Sequence, residues 1–104
     1  MKKICIVTST YNQAITYELR NNAKKVLKKV DKISVTDFEV PGAFEIPVMI
    51  SKLAKRYDGF IAIGCVIKGQ TKNFDLISHA ITDGIMQISI TEKKPIGNAI
   101  LTCF

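Results

Sequence analysis

The 104-residue chain predicts a single α/β domain built on a parallel sheet. Three observations predict it. Short apolar runs of strand length alternate with longer segments whose apolar residues recur at helical spacing. The order is strand, helix, strand, helix, strand, helix, strand, which right-handed crossovers turn into one parallel sheet of four strands. Two of the runs, "KICIVTS" and "FIAIGCVI", are apolar nearly throughout, as strands covered on both faces are.

Each element can be justified in turn. "KICIVTS" is a continuous apolar run. "YNQAITYELRNNAKKVLKKV" places Ile15, Leu19, Ala23, Val26, Leu27 and Val30 along one helical stripe. "KISVTDFEV" alternates Ile33 and Val35 with polar partners and reads as the second strand. "PGAFEIPVMISKLAKRY" begins as a turn, then aligns Ile46, Ile50, Leu53, Ala54 and Tyr57 on one helix face. Pro47 suits a first helical turn, where its missing N–H costs nothing. "FIAIGCVI" is the third strand. Phe74, Ile77, Ile81, Ile85 and Ile88 mark the third helix, and "NAILTC" the fourth strand. With three helices on four strands, part of one sheet face is expected to stay under-covered. Partner subunits or further chain would have to cover it.

Composition excludes several classes. Hydrophobic residues make up 47% and charged ones 23%, an ordinary globular balance that argues against disorder. No apolar run approaches the roughly 18 residues of a membrane helix. The opening "MKKICIVTST" has no long apolar stretch ending in small residues, so it reads as a buried strand in a cytoplasmic protein. Cys5, Cys65 and Cys103 lie in strand-like runs without CxxC spacing and are expected to be buried small hydrophobes. With one histidine, His79, no zinc ligand cluster is expected. His79 sits off the stripe of Ile77 and Ile81, which favours a surface or interface position over catalysis. The net charge of +6 fits nucleic acid, acidic lipid or phosphorylated metabolites. No nucleic-acid motif accompanies it, so neither nucleic acid nor membrane is the expected partner.

In an open parallel sheet, ligands bind beyond the carboxyl ends of the strands. Four segments converge there: "TSTYN", "VPGAFEIP", "CVIKGQTKN" and "LTC". Tyr11 and Asn12 offer a stacking ring and an amide, or else an edge residue and a helix cap. Glu45 offers a carboxylate for ligand, or a first-turn acid that suits a helix dipole. Gly69, Gln70 and Thr71 precede a helix, so free N–H groups, a hydroxyl and a positive dipole end make an anion site. It is neither a P-loop nor a GxGxxG turn.

The motifs "STYN", "VPGAFEIP", "GCVIKGQTKNFD" and "PIGNAILT", in this order and spacing, resemble lumazine synthase, the penultimate enzyme of riboflavin biosynthesis. The resemblance covers essentially the whole chain. It implies a flavodoxin-like three-layer αβα fold and homopentamers with active sites between subunits. It implies condensation of 5-amino-6-(D-ribitylamino)uracil with 3,4-dihydroxy-2-butanone 4-phosphate. The products would be 6,7-dimethyl-8-ribityllumazine, phosphate and water, with neither cofactor nor metal. Position by position, Tyr11 resembles the aromatic that stacks on the pyrimidine, with Asn12 beside it. Ala43, Phe44 and Glu45 resemble the segment holding the ribityl chain. Cys65, Val66 and Ile67 match the strand end whose backbone reads the uracil edge. Gly69, Gln70 and Thr71 match the phosphate-binding turn. Asn98 aligns with a position that reaches the neighbouring subunit's site.

Two departures qualify the resemblance. The family continues past "LTC" into two helices, one carrying an Arg that grips phosphate. Nothing in these 104 residues corresponds to them, which makes the sequence look like part of a longer chain; failing that Arg, Lys68 or Lys72 would supply the charge. Asn73 stands where the family usually has the proton-transferring His, and an amide cannot titrate near neutral pH. Orientation of two substrates can still supply ~7–11 kcal/mol, so a slower synthase is expected; a non-catalytic lumazine- or flavin-binding member is the alternative. Asn73→His should raise turnover towards the ~10²–10⁴-fold that acid–base help brings, read as steady-state kcat. An unchanged kcat would remove proton transfer from this position.

Overall fold

The computed structural model describes residues 1–69 and 73–103, with the side chain of Cys103 left out. Eight elements follow the predicted order: β1 (Lys2–Ser9), α1 (Gln13–Leu27), β2 (Ile33–Val40), a 3-10 turn (Ala43–Glu45), α2 (Ile46–Leu53), β3 (Gly59–Ile67), α3 (Phe74–Glu92) and β4 (Ile96–Cys103). All four strands are parallel, in the order β2-β1-β3-β4. This is the order of the flavodoxin-like doubly wound sheet. Helix α1 packs on one face, over β1 and β3, and α2 and α3 pack together on the other. Uniformly right-handed crossovers require that division. Moving from β1 outward to β2 puts the helix on one side; moving back to β3 and on to β4 puts both later helices on the other.

The apolar strands are the central ones. Cys5, Ile6, Val7, Thr8 and Ser9 of β1 are buried, as are Phe60, Ala62, Ile63, Cys65 and Val66 of β3. The edge strand β2 alternates instead along most of its length, because one of its faces is poorly covered. The main core lies between the sheet and α2/α3, where Ile46, Ile50, Leu53, Ile81 and Ile85 meet β1 and β3. Full burial of a side chain such as Ile46 or Ile50 contributes roughly 1.5–3 kcal/mol. Tyr57 closes this core edge-on to both Phe38 and Phe60, with ring centroids 6.3 and 5.9 Å away. The predicted α2 stripe, Ile46 to Tyr57, is buried throughout, although the helix itself ends at Leu53.

Two expectations are corrected in detail. Helix α1 stops at Leu27, and Val26 and Val30, assigned to its apolar stripe, are exposed. What holds α1 down is its other half: Thr16 is buried, and Arg20–Glu39 and Lys24–Asp37 pair across to β2 at 3.1 and 2.5 Å. Such surface pairs contribute at most about 1 kcal/mol each. The Glu39 carboxylate also accepts from the Tyr17 hydroxyl and raises that phenol's pKa. As expected, one face stays under-covered: α1 packs mainly on β1 and β3, and Leu101 of β4 is exposed. Cys5 and Cys65 are both buried thiols. Burial, with the Asp37 charge adding to it, pushes the Cys5 thiol up to about 12, so it packs as a hydrophobe.

One close approach locks the sheet to its helices. A Cβ placed on Gly64 would lie 3.1 Å from Ala43 Cβ, 3.1 Å from Ile46 Cδ1 and 3.2 Å from Ser9 Oγ. None of these is the loose end of a long side chain. Gly64→Ala is therefore expected to cost about 1–3 kcal/mol by overpacking, read as a lower urea midpoint at unchanged m-value. An unchanged midpoint would mean that the contact yields freely.

Candidate functional site

At the carboxyl ends of β1 and β3 the structure opens a hollow of about 260 Å³. Tyr11, Gly42, Ala43, Phe44, Cys65, Val66, Ile67 and Ile77 line it. Three of the four expected segments therefore converge. Of the fourth, the described side chains of Leu101 and Thr102 are not among the lining residues.

The loop after β1 is zipped to the turn after β2. Thr10 N–H donates to Val40 O at 2.8 Å, and Tyr11 N–H donates to Pro41 O at 3.1 Å. This places Tyr11 at the rim with its surface 43% exposed, opening into the hollow rather than packed away. Phe44, 59% exposed, offers a second ring. Exposed aromatic faces at the rim of a hollow suit a planar ligand.

Asn12 heads α1 in the left-handed conformation, φ 61°, ψ 58°, which asparagine tolerates better than most residues. Its carbonyl accepts from Ile15 N–H and Thr16 N–H at 3.0 Å each. Its side chain makes no capping bond, which corrects the plain cap reading. Instead Asn12 Nδ2 is buried without a partner, as are the hydroxyls of Thr8 and Ser9 just before it. Buried polar atoms are rarely left unpaired, so the end of β1 has hydrogen-bonding capacity in reserve beside the hollow. Sequence reasoning passed over Thr8 and Ser9; two hydroxyls closing an apolar strand were the signal.

Glu45 serves the local structure. Its carboxylate accepts from Gly42 N–H at 3.0 Å, while its own N–H donates to Gly42 O at 3.1 Å. The acid thus caps the 3-10 turn from which α2 starts, with Pro47 in the first turn of α2. Among the described residues, the one hydrogen bond to its side chain is taken by Oε1. Ile77, on the inner stripe of α3, also lines the hollow and had been read only as core.

Gly69 turns the chain away from β3 at φ 94°, a conformation other residues adopt only with strain. Gln70, Thr71 and Lys72 lie outside the described residues, and the expected anion site at Gln70 and Thr71 lies there with them. Asn73 is the residue at which α3 begins. Its carbonyl accepts from Ile77 N–H at 2.9 Å, and its side chain makes no capping bond. Asn98 lies opposite Ala62, well before the strand ends, and its Oδ1 accepts from Ile100 N–H at 2.9 Å. It is not brought to this hollow. His79 is exposed on α3, as its position off the inner stripe required. Among the described residues, no three His, Cys, Asp or Glu side chains group as metal ligands.

Fold and hollow together define a doubly wound α/β protein whose binding cleft lies beyond the strand ends. The comparison with known families narrows that class. The family model of 6,7-dimethyl-8-ribityllumazine synthase matches residues 1–104, and the chain belongs to that family. Curated proteins of that name resemble it throughout. That of Corynebacterium kroppenstedtii is 40% identical over 101 residues, covering 97% of this chain and 63% of the relative. That of Limosilactobacillus reuteri is 40% identical over 102 residues, covering 96% and 67%. That of Pyrococcus furiosus is 40% identical over 95 residues, covering 90% and 60%. The chain thus spans about two thirds or less of the length of these relatives.

The double role of Glu45 gives a direct test. Glu45→Ala removes the acceptor from Gly42 N–H and should cost about 0.5–2 kcal/mol. Glu45→Gln keeps an oxygen there and should cost distinctly less. Equal losses in chemical denaturation would show that the cap bond contributes nothing.

Proposed function

We propose that residues 1–104 form one domain that condenses 5-amino-6-(D-ribitylamino)uracil with 3,4-dihydroxy-2-butanone 4-phosphate. The products are 6,7-dimethyl-8-ribityllumazine, phosphate and water, and no metal or cofactor takes part. The observation that carries this reading is the hollow itself: "STYN", "VPGAFEIP" and "GCVI" deliver Tyr11, Ala43, Phe44, Cys65, Val66 and Ile67 to one place.

In this reading the Tyr11 ring stacks on the pyrimidine, and Asn12 Nδ2 gains the acceptor it lacks. Backbone groups of Cys65, Val66 and Ile67 meet the uracil edge. The other carboxylate oxygen of Glu45 accepts from ribityl hydroxyls alongside Ala43 and Phe44. Gly69, Gln70 and Thr71 hold the butanone phosphate at the start of α3. Asn73 donates and accepts hydrogen bonds near the reacting groups but moves no proton of its own, so catalysis rests on orientation. Asn98 acts in a neighbouring subunit's site.

That last role needs assembly, and we propose a homo-oligomer built from pentamers. The outer face of α3 supports it: Leu76, Met86 and Ile90 are 71%, 58% and 64% exposed and fall on one side of the helix. An exposed apolar stripe of this kind marks an interaction surface. The protein would work in the cytoplasm, without nucleic acid or membrane partners. No helix among the described residues is long and apolar enough to cross a membrane.

Mixing the full chain with both substrates and following lumazine fluorescence tests the proposal. Formation above the spontaneous background is expected, and Tyr11→Ala should raise KM for the pyrimidine by tenfold or more, the worth of a lost stacking contact of ~1–3 kcal/mol. Tight lumazine binding without turnover would instead make the protein a non-catalytic binder.

A further inference from the structure

The cationic side chains gather at one end of the molecule. In a parallel α/β fold every helix ends at the amino edge of the sheet, opposite the cleft. There β1 opens with Lys2 and Lys3, residues 24–32 hold five lysines, α2 and its exit supply Lys52, Lys55 and Arg56, and α3 is followed by Lys93 and Lys94. That is twelve of the fifteen lysines and arginines. Near them in the chain stand only Asp31, Asp58 and Glu92, with Asp37 reaching Lys24 from β2. Helix dipoles favour cations at helix ends. They favour the lysines that follow α1 and equally those at the ends of α2 and α3, on the other side of the sheet.

On that side is a hollow of about 400 Å³ lined by Lys3, Ser34, Thr36, Lys55, Arg56 and Tyr57. Its origin is topological. Strand β2 is an edge strand, α2 packs over β1, and the first half of β2 is left open. Lys3 pairs in register with Ser34, and Cys5 with Thr36, so these side chains share the α2 face. Every lining side chain is a cation or a hydroxyl. Lys3 and Arg56 belong to none of the ion pairs among the described residues. Lys55 pairs with Glu92 at 3.2 Å, but its side chain is 88% exposed and the pair is weak enough to exchange. The nearby Asp58 carboxylate is held by Lys3 N–H at 2.7 Å. Arg56 lies over the Tyr57 ring, 5.9 Å from its centroid.

Lys3, Lys55 and Arg56 bring three positive charges to one hollow, against the two nearby carboxylates of Glu92 and Asp58, and leave it net positive. Ammonium and guanidinium donors with hydroxyls between them fit the many oxygens of a phosphoanion. The walls offer no aromatic face for a base, because Tyr57 is buried between Phe38 and Phe60. That disfavours nucleic acid, whose single strands bind through stacking platforms. We propose that this hollow is a second anion site, independent of the reading of the cleft, which takes a compact multiply charged phosphate such as a diphosphate.

Calorimetric titration of the full chain with pyrophosphate tests this. One saturable site per chain is expected. Lys3→Ala and Arg56→Ala should each weaken it on the order of tenfold, the worth of a hydrogen bond to a charged group. Arg56→Lys, which keeps the charge, should weaken it less, and it remains informative if Arg56→Ala fails to fold. Lys28→Ala, an equal loss of charge away from the hollow, should leave Kd within about twofold. The proposal is overturned by the absence of saturable binding, or by equal losses in Lys28→Ala and Arg56→Ala. It is overturned too if Tyr11→Ala abolishes binding while Arg56→Ala does not, since the anion then sits in the cleft. RNA binding that outcompetes pyrophosphate and weakens equally in Lys25→Ala and Lys28→Ala would make this end a nucleic-acid surface instead.

Discussion

The contact at Gly64 governs the rest of the molecule. Because β3 has no side chain there, Ala43 and Ile46 rest directly on the sheet beside Ser9. Three chain segments far apart in sequence are thus fixed against one another at a single point. From that point the 3-10 turn runs out to Phe44 and Glu45, β3 continues to Cys65, and β1 ends in the loop of Tyr11. The cleft is what remains between them. Its walls are set by the core beneath rather than by interactions of their own.

Local bonds then set the outline of the rim. Two backbone hydrogen bonds join the loop of Tyr11 to Val40 and Pro41, and one carboxylate bond folds Glu45 back on Gly42. Meanwhile Asn12 Nδ2, Thr8 Oγ1 and Ser9 Oγ are buried and unpaired. Polar atoms can stay unsatisfied close to a site when stability is supplied elsewhere. Such groups give up no protein partner when a ligand arrives.

Much of this was legible in the sequence because hydrophobic patterning reports burial. The continuous runs of β1 and β3 announced strands covered on both faces, and the alternation in "KISVTDFEV" a further strand, although the residues it buries best are Phe38 and Val40 rather than Ile33 and Val35. The α2 stripe through Tyr57 could be read although the helix stops short of it, because a turn can keep a side chain on the same core. Val26 and Val30 misled for the converse reason: helical spacing says which residues share a face, not whether that face meets the sheet. Other features were illegible because they are properties of pairs in space. That Asn12 would decline to cap α1 depends on a left-handed backbone, and that Lys3, Ser34 and Arg56 would share a hollow depends on register and crossover. Ile77 was seen as apolar and on the right stripe, but nothing in spacing distinguishes a core residue from one that floors a cavity.

The two hydrogen bonds between Lys3 and Asp58 bear on how the protein folds. Lys3 N–H donates to the Asp58 carboxylate and Asp58 N–H donates to Lys3 O, both at 2.7 Å, across a separation of 55 residues. They tie the start of β1 to the start of β3, and α1, β2 and α2 all lie within the loop so closed. No hairpin is available as a local nucleus, since every strand pairing in this sheet is parallel. Lengthening such a loop adds only ~0.6 kcal/mol per doubling, so the topology weighs on the rate of folding far more than on its equilibrium. The cleft, which needs β1 and β3 side by side, cannot exist before that long loop has closed.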